Sequence, residues 1–260
     1  AGSAAVPAGS SAGDVSIQTG ASLSGPADNW SVSGDWNNQG NYLANNGNVI
    51  FSGSGAHGLS GETAFYQLTA EDGGQLNLAG ASQTTVDYGL DLQGAATLSG
   101  APSSTLAFTG SGMVSLPDGT TLGSLSIGTQ TIFAAPANLT LQGGLANAGS
   151  FDAGEGTVTF LGTGEHDLSG SVAFNNLVLD GGTLKLAEGA EVTLNASLTQ
   201  QNGSAFDGSA ADTTFIAAAG AAQTLPGMVI LNDLQVTAGT ELTVPGALTL
   251  FGDLDVQGSF

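Results

Sequence analysis

The sequence predicts an all-β protein, a right-handed parallel β-helix (β-solenoid) of four modules of about 55 residues each. Three observations predict this class. The chain repeats itself internally, its apolar residues alternate with polar ones in very short runs, and those runs follow one another more closely than in most β folds. No stretch shows the sustained 3.6-residue period of a helix, so we expect no long helix.

The internal repetition is clearest between two segments of the chain. Gly40–Leu68 aligns without a gap with Gly149–Leu177, and the alignment pairs His57 with His166. A weaker copy lies between them and a fourth follows. The predicted modules cover about residues 40–96, 97–148, 149–203 and 204–260.

The predicted strands are triplets of the form apolar–polar–apolar, such as Leu76–Leu78, Leu139–Leu141 and Leu254–Val256. Alternation with period two is the pattern of a strand with one buried face. Glycine, asparagine, aspartate and serine separate the triplets, and these residues favour turns.

The spacing of the triplets distinguishes between β architectures. Near the C-terminus they begin at Leu234, Leu242, Leu248 and Leu254, which are 6–8 residues apart. Sandwiches and barrels usually need about 8–12 residues per strand. We therefore expect coils of about 18–25 residues that each climb one strand spacing of ~4.8 Å. A β-propeller is the alternative fold, and a string of small sandwiches comes third.

The N-terminal segment differs in composition from the rest. Residues 1–29 are rich in alanine, glycine and serine, with weak strand signals only at Val15, Ile17 and Leu23. This composition predicts a flexible arm before a repeat domain of residues 30–260.

The charge balance excludes several partners. The chain carries one Lys or Arg and 22 Asp or Glu, for a net charge of −21, and it has no cysteine. Nucleic acids need cations on the protein, so we expect no nucleic-acid partner.

No apolar run is long enough for a membrane-spanning helix. Because the chain has no cysteine, cysteine metal sites and disulfides are excluded.

Residues 34–68 and the copy that ends at Leu186 resemble the repeats of large secreted bacterial cell-surface and adhesin-like β-solenoid proteins. The shared pattern runs from Trp36 through the Gly-x-Val-x-Phe-type strand to the Phe-x-x-Leu segment. Such repeats serve as adhesins, stalks or fibre components and carry no catalytic residues. The resemblance therefore implies an extracellular or cell-surface protein that is not an enzyme.

Candidate chemical sites are few. His57 and His166 occupy the same repeat position, which predicts polar turn residues far apart rather than a shared metal site. The acids, among them Glu62, Asp72 and Glu165, form no obvious catalytic pair. We expect no cofactor and no catalytic residue, and leave open weak Ca²⁺ binding by acids at the corners.

The two ends of the predicted solenoid are the strongest functional candidates, because exposed strand edges invite association. We expect Trp30 and Trp36 to cap the N-terminal end and the arm to add a strand to a neighbour. The predicted self-assembly residues are Val15, Ile17, Leu23, Trp30, Trp36, Leu248, Leu250, Leu254, Val256 and Phe260.

The sequence therefore predicts a non-catalytic extracellular structural protein that joins head to tail into a filament, surface layer or matrix fibre. Contacts that do not close into a ring produce such fibres. The alternative is a glycan- or surface-binding adhesin module of a larger cell-surface protein, recognisable by aromatic and polar clusters on one lateral face.

Overall fold

The computed structural model describes residues 2–218 and 222–260, and these contain β-strands and turns but no helix. The chain divides into two compact units, Ala1–Ile132 and Phe133–Phe260. Short strands joined by turns make up each unit. This agrees with the short alternating triplets of the sequence.

The strands of the first unit are β1 (Ser3–Ala5), β2 (Ser11–Ala12), β3 (Val15–Ile17), β4 (Ser22–Ser24), β5 (Asn29–Val32), β6 (Trp36–Asn38), β7 (Asn41–Leu43), β8 (Asn48–Phe51), β9 (Ala56–Ala70), β10 (Gln75–Leu78), β11 (Gln83–Leu92), β12 (Thr97–Gly100), β13 (Thr105–Phe108), β14 (Gly112–Ser115), β15 (Thr120–Leu122) and β16 (Ser124–Ile127). The strand β17 (Thr131–Ala134) contains the division between the units.

The strands of the second unit are β18 (Asn138–Leu141), β19 (Leu145–Asn147), β20 (Ser150–Asp152), β21 (Thr157–Leu161), β22 (Glu165–Asp180), β23 (Thr183–Leu186), β24 (Glu191–Gln201), β25 (Ala205–Gly208), β26 (Thr214–Ala217), β27 (Ala222–Thr224), β28 (Met228–Leu231), β29 (Asp233–Val236), β30 (Glu241–Thr243), β31 (Ala247–Leu250) and β32 (Leu254–Val256).

Within each unit, strands pair in parallel with strands one coil away. In the first unit Asn29 pairs with Asn48, and Asn48 pairs with Gln67, so the same step along the chain occurs twice in succession. In the second unit Asn138 pairs with Thr157 at an equal step. Parallel stacking of successive coils confirms the predicted β-solenoid and rules out the β-propeller. The right-handedness of the β-helix and its division into four modules stay predictions.

Coil length varies while the pairing is kept. Glu165 pairs with Thr183, whereas Glu191 pairs with Thr214, which is a longer step along the chain. Both steps fall within the predicted range of coil length. Because the strands stay in register, the extra residues lie in the corners between them.

The core of each unit consists of inward-facing side chains that stack from coil to coil. Leu76 and Leu78 of β10 are buried, whereas Gln75 at the start of the strand is exposed. Leu76 pairs with Leu98 of the next coil, which is also buried. Removing such apolar area from water contributes about 25 cal/mol per Å², and this term holds coils of so few residues together.

Buried asparagines hold equivalent corners in the two units. Asn38 Nδ2 donates to the carbonyl oxygen of Glu62 in the next coil at 2.5 Å, and its Oδ1 accepts the N–H of Gly40 at 3.1 Å. Asn147 makes the same two contacts, with Ser171 and Gly149, at 2.6 and 3.2 Å. The repeat found in the sequence therefore reproduces hydrogen bonds as well as apolar positions.

The N-terminal segment differs from the expected flexible arm. β1 pairs with β4, β2 with β5 and β3 with β6, so residues 3–24 contribute the first strands of the solenoid ladder. Val15 and Ile17 are buried. Backbone pairing with the next coil orders this segment although its side chains are mostly small, and composition alone does not reveal such pairing.

Candidate functional site

The C-terminal coil carries exposed apolar side chains that align with buried core residues of the preceding coil. Leu254 pairs with Leu234 and Val256 with Val236 of the preceding coil. Leu234 is 1% exposed and Val236 is 0% exposed, whereas Leu254 is 48% and Val256 is 40% exposed. The core ladder therefore reaches the surface at this coil.

The backbone of the same coil has an edge without a partner strand. Among the described residues, β31 pairs with β28 and β32 with β29, each on one side only. Leu248 and Leu250 of β31 are partly exposed, and Phe260 is exposed. The structure thus brings all five C-terminal residues of the predicted assembly set to one end of the second unit. An apolar end with free N–H and C=O groups is a template for strand pairing.

The N-terminal coil also has free strand edges but a different surface. Within the described part of the chain, β1, β2 and β3 pair only with β4, β5 and β6. Ser3–Ala5 is exposed, Val15 and Ile17 are buried, and Leu23 lies partly buried between two strands. These three apolar residues are therefore not on a free arm, and the edge here presents small side chains.

Trp30 and Trp36 lie inside the first unit rather than on an end cap. Both are buried, and their rings meet edge to face with centroids 5.5 Å apart. Trp36 also contacts Tyr42 and Phe65, and its Nε1 donates to Thr63 Oγ1 at 3.0 Å. The cap expected from the sequence is thus an aromatic core cluster, because the segment before Trp30 supplies a further coil.

Tyr42 belongs to the same cluster, and its pKa is raised. Burial raises the pKa of its hydroxyl to about 12, since the charged phenolate is poorly solvated in this cluster. A Cβ on Gly25 would overlap the Tyr42 hydroxyl oxygen. The hydroxyl is therefore held against backbone of the preceding coil.

The two histidines are core residues, contrary to the expected polar turn position. His57 and His166 are buried, and Nδ1 of each lies 3.0–3.1 Å from a carbonyl oxygen, of Gly34 and Gly143 respectively. A carbonyl accepts only, so Nδ1 carries the proton in both rings. Each ring also packs against a phenylalanine of its own coil. Nε2 of His166 also lies 3.5 Å from the carbonyl oxygen of Gly162. Both rings are therefore held by backbone carbonyls, and neither belongs to a cluster of metal-ligating side chains among the described residues.

Several carboxylates bind backbone N–H groups at the corners instead of standing free in solvent. Asp14 Oδ1 accepts the N–H of Asp35 at 2.9 Å, and Asp35 Oδ1 accepts the N–H of Gly58 at 2.7 Å. Asp72 and Asp233 make the same contact with the next coil. These acids connect successive coils, which is a structural role that the sequence alone did not reveal.

No cluster of three or more His, Cys, Asp or Glu that could hold a metal ion occurs in residues 2–218 and 222–260. Weak Ca²⁺ binding at corners stays a prediction. Lys185 lies 3.6 Å from Glu165, and both side chains are well exposed. An exposed pair of this kind contributes little to stability.

A stacked tyrosine pair on the surface is the feature that the sequence reasoning missed. The rings of Tyr66 and Tyr88 are nearly parallel, at 10°, with centroids 5.0 Å apart. Tyr88 is 60% exposed. The two tyrosines are one coil length apart in the sequence, and this spacing was the available signal.

These features define a parallel β-solenoid with an exposed apolar ladder at one coil and an aromatic pair on one side. Comparison with known proteins finds no matching family model, no similar curated protein and no similar solved structure. In the part of the chain that the structure describes, no helix is long and apolar enough to cross a membrane.

Proposed function

We propose that this chain is a non-catalytic structural protein that associates end to end with copies of itself into a filament or surface layer. The observation that carries the proposal is the apolar ladder at Leu254 and Val256, whose counterparts one coil earlier are fully buried. Fully burying a leucine or valine contributes about 1.5–3 kcal/mol. Because these two side chains are 48% and 40% exposed, a second coil stacked on this end would gain roughly half of that for each.

A second copy of the chain is the occupant that fits this end. The exposed edges of β31 and β32 require parallel strands with the spacing of a solenoid coil, and β1, β2 and β3 offer such edges. The coil step has the same length at both places, from Ser3 to Ser22 and from Met228 to Ala247. Stacking two different ends on each other produces a fibre whenever the contact does not close into a ring, and this open case is the one proposed.

Charge opposes this association and gives it a dependence on ions. Copies with a net charge of −21 repel one another, and salt screens that repulsion with a Debye length of about 10 Å at 0.1 M. We expect salt to promote assembly. Ca²⁺ that bridges acids of two copies would promote it more than Na⁺ at equal ionic strength. We also propose an extracellular or cell-surface location, where a chain with a single trypsin-type cleavage site would persist.

Negative-stain electron microscopy and sedimentation velocity test the proposal. The wild-type protein should form filaments at high concentration and in salt. The double variant Leu254→Asp, Val256→Asp should stay monomeric with an unchanged far-UV spectrum. Met228→Asp is the matched control, because Met228 is 52% exposed on a strand paired on both sides, and it should assemble normally. A wild-type protein that is monomeric under all these conditions would overturn the proposal.

A further inference from the structure

The sheet of the first unit is interrupted on one side. β1, β4 and β7 form a separate three-stranded sheet, and β7 has no register partner in β9 among the described residues. The next strands on this side, Glu62–Phe65 of β9 and Gln83–Val86 of β11, pair with each other. The interruption leaves a groove between β7 and β9.

The groove is open and polar. It has a volume of about 270 Å³, and polar side chains from three successive coils line it, including Asn41, Glu62, Gln83 and Thr85. Gln83 pairs with Glu62, and Thr85 pairs with Ala64, so their side chains lie side by side on adjacent strands. The groove therefore combines amide donors with amide, hydroxyl and carboxylate acceptors.

An extended peptide does not fit as an inserted strand. Cα atoms of β7 and β9 approach within 8 Å of each other. A strand inserted between them would need about 9.6 Å, twice the usual spacing of ~4.8 Å. An occupant must therefore use side chains and the groove surface.

The tyrosine pair lies just beyond the two paired segments Glu62–Phe65 and Gln83–Val86, within the same strands β9 and β11. Tyr66 follows Phe65 in β9, and Tyr88 comes three residues after Thr85, at most about 10 Å along the chain. Tyr66 covers one face of the Tyr88 ring, while the next coil has Gly110 and Ser111 near Tyr88, around a small pocket. A stacked aromatic pair with one exposed ring is thus within about 10 Å along the chain of Thr85, which lines the polar groove.

The charged residues near the groove favour an uncharged ligand. Glu62 lines the groove, and the chain has no arginine and only Lys185, which lies in the second unit. An anion would meet repulsion and find no cation. With a single carboxylate in its lining, the groove also lacks the ligand set of a divalent cation.

From these observations we propose that the groove and the Tyr66–Tyr88 pair form a binding site for a neutral oligosaccharide. Sugar hydroxyls would exchange hydrogen bonds with Asn41, Glu62 and Gln83, and a sugar ring would pack its C–H face on Tyr88. An aromatic surface beside a small number of polar side chains is typical of sites that bind small ligands. Binding at this site does not require end-to-end assembly.

Isothermal titration on the assembly-deficient Leu254→Asp, Val256→Asp background tests the site separately from filament formation. The probes are the hexasaccharides of β-1,4-glucose, β-1,4-mannose, β-1,3-glucose and N-acetylglucosamine, with hexagalacturonate as the anionic comparison. We expect at least one neutral probe to bind with Kd at or below about 1 mM, and no binding of hexagalacturonate.

Single substitutions then locate the site. Tyr88→Ala and Gln83→Ala should each weaken binding about tenfold, whereas Tyr88→Phe should change it less than roughly threefold because the ring remains. Met228→Ala, an exposed apolar residue of the second unit, should leave it unchanged. Failure of all neutral probes to bind, or binding that neither Tyr88→Ala nor Gln83→Ala weakens, would overturn the proposal. So would tighter binding of hexagalacturonate.

Discussion

Gly61 lies so close to Asn38 of the preceding coil that a Cβ on Gly61 would overlap the Asn38 carbonyl oxygen. Gly170 and Asn147 repeat this relationship in the second unit. Both glycines have positive φ, of 80° and 83°. The corner thus requires glycine for two reasons, a close backbone approach and a conformation that other residues rarely adopt.

Substituting either corner glycine should destabilise the fold strongly. Gly61→Ala combines a clash with backbone and an unfavourable φ, so we expect a loss of at least about 3 kcal/mol in the free energy of unfolding. Gly55→Ala is the matched control, because nothing lies near its missing Cβ and its φ is not positive. It should change stability by less than about 0.5 kcal/mol in urea unfolding. Equal effects of the two variants would contradict this account of the corner.

Burial of both tryptophans predicts a specific fluorescence behaviour. The emission should be blue-shifted, and acrylamide should quench it weakly, because neither indole reaches solvent in the folded protein. In the variant Trp30→Phe, the remaining emission comes from Trp36 and should still be blue-shifted and weakly quenched. Strong quenching in the native state, with the far-UV spectrum intact, would show that the first coils are open.

Because of Tyr42, the free energy of unfolding should fall as the pH rises into the alkaline range. Its folded pKa is about 12, whereas an unfolded tyrosine titrates near 10. Between these values the unfolded state releases the proton and the folded state keeps it. Stability is therefore full below pH ~10 and falls as pH rises towards ~12, by roughly 2 kcal/mol for this group.

Tyr42→Phe isolates the Tyr42 contribution, because it removes the hydroxyl and keeps the ring. The unfolding free energy of the wild type minus that of Tyr42→Phe should become smaller or more negative as pH rises from about 9 to about 11.5. A difference that is constant over this range would show that the hydroxyl is not buried as described.

The sequence predicted what depends on local alternation and repetition. Alternating triplets such as Leu76–Leu78 specify which side chains face inwards, and their spacing specifies a solenoid coil. The environments of His57 and Asn38 were not accessible in this way. Both are polar residues buried by contacts with the adjacent coil, and only the register between coils determines those contacts.

The candidate residues of the two proposed sites divide along the same line. Leu254 and Val256 were found because they continue an apolar pattern. Val15, Ile17 and Trp36 were placed at an accessible end, because small residues before them conceal a further coil that pairs through its backbone. Tyr66 and Tyr88 were missed because the register between β9 and β11 shifts between Val86 and Gly89, and simple alternation gives no information at such a shift.

Native protein should resist trypsin although it contains a site. Lys185 is in β23, which pairs with β22 on one side and β25 on the other. A protease needs an extended, unpaired segment, so cleavage requires local unfolding. We expect no cleavage in native buffer and a single cut after Lys185 in urea, giving residues 1–185 and 186–260. Gel electrophoresis and mass spectrometry check this, and rapid native cleavage would contradict the pairing of β23.

The carboxylates that accept N–H groups at the corners limit how the surface charge of this protein can be redesigned. Asp14, Asp35, Asp72 and Asp233 add to the acidic isoelectric point, yet each holds the amide of the following coil in place. Exchange for lysine would remove the acceptor together with the charge. Asparagine retains an oxygen acceptor, so a less acidic version of the protein has to be built by amide substitution at these positions and by charge reversal elsewhere.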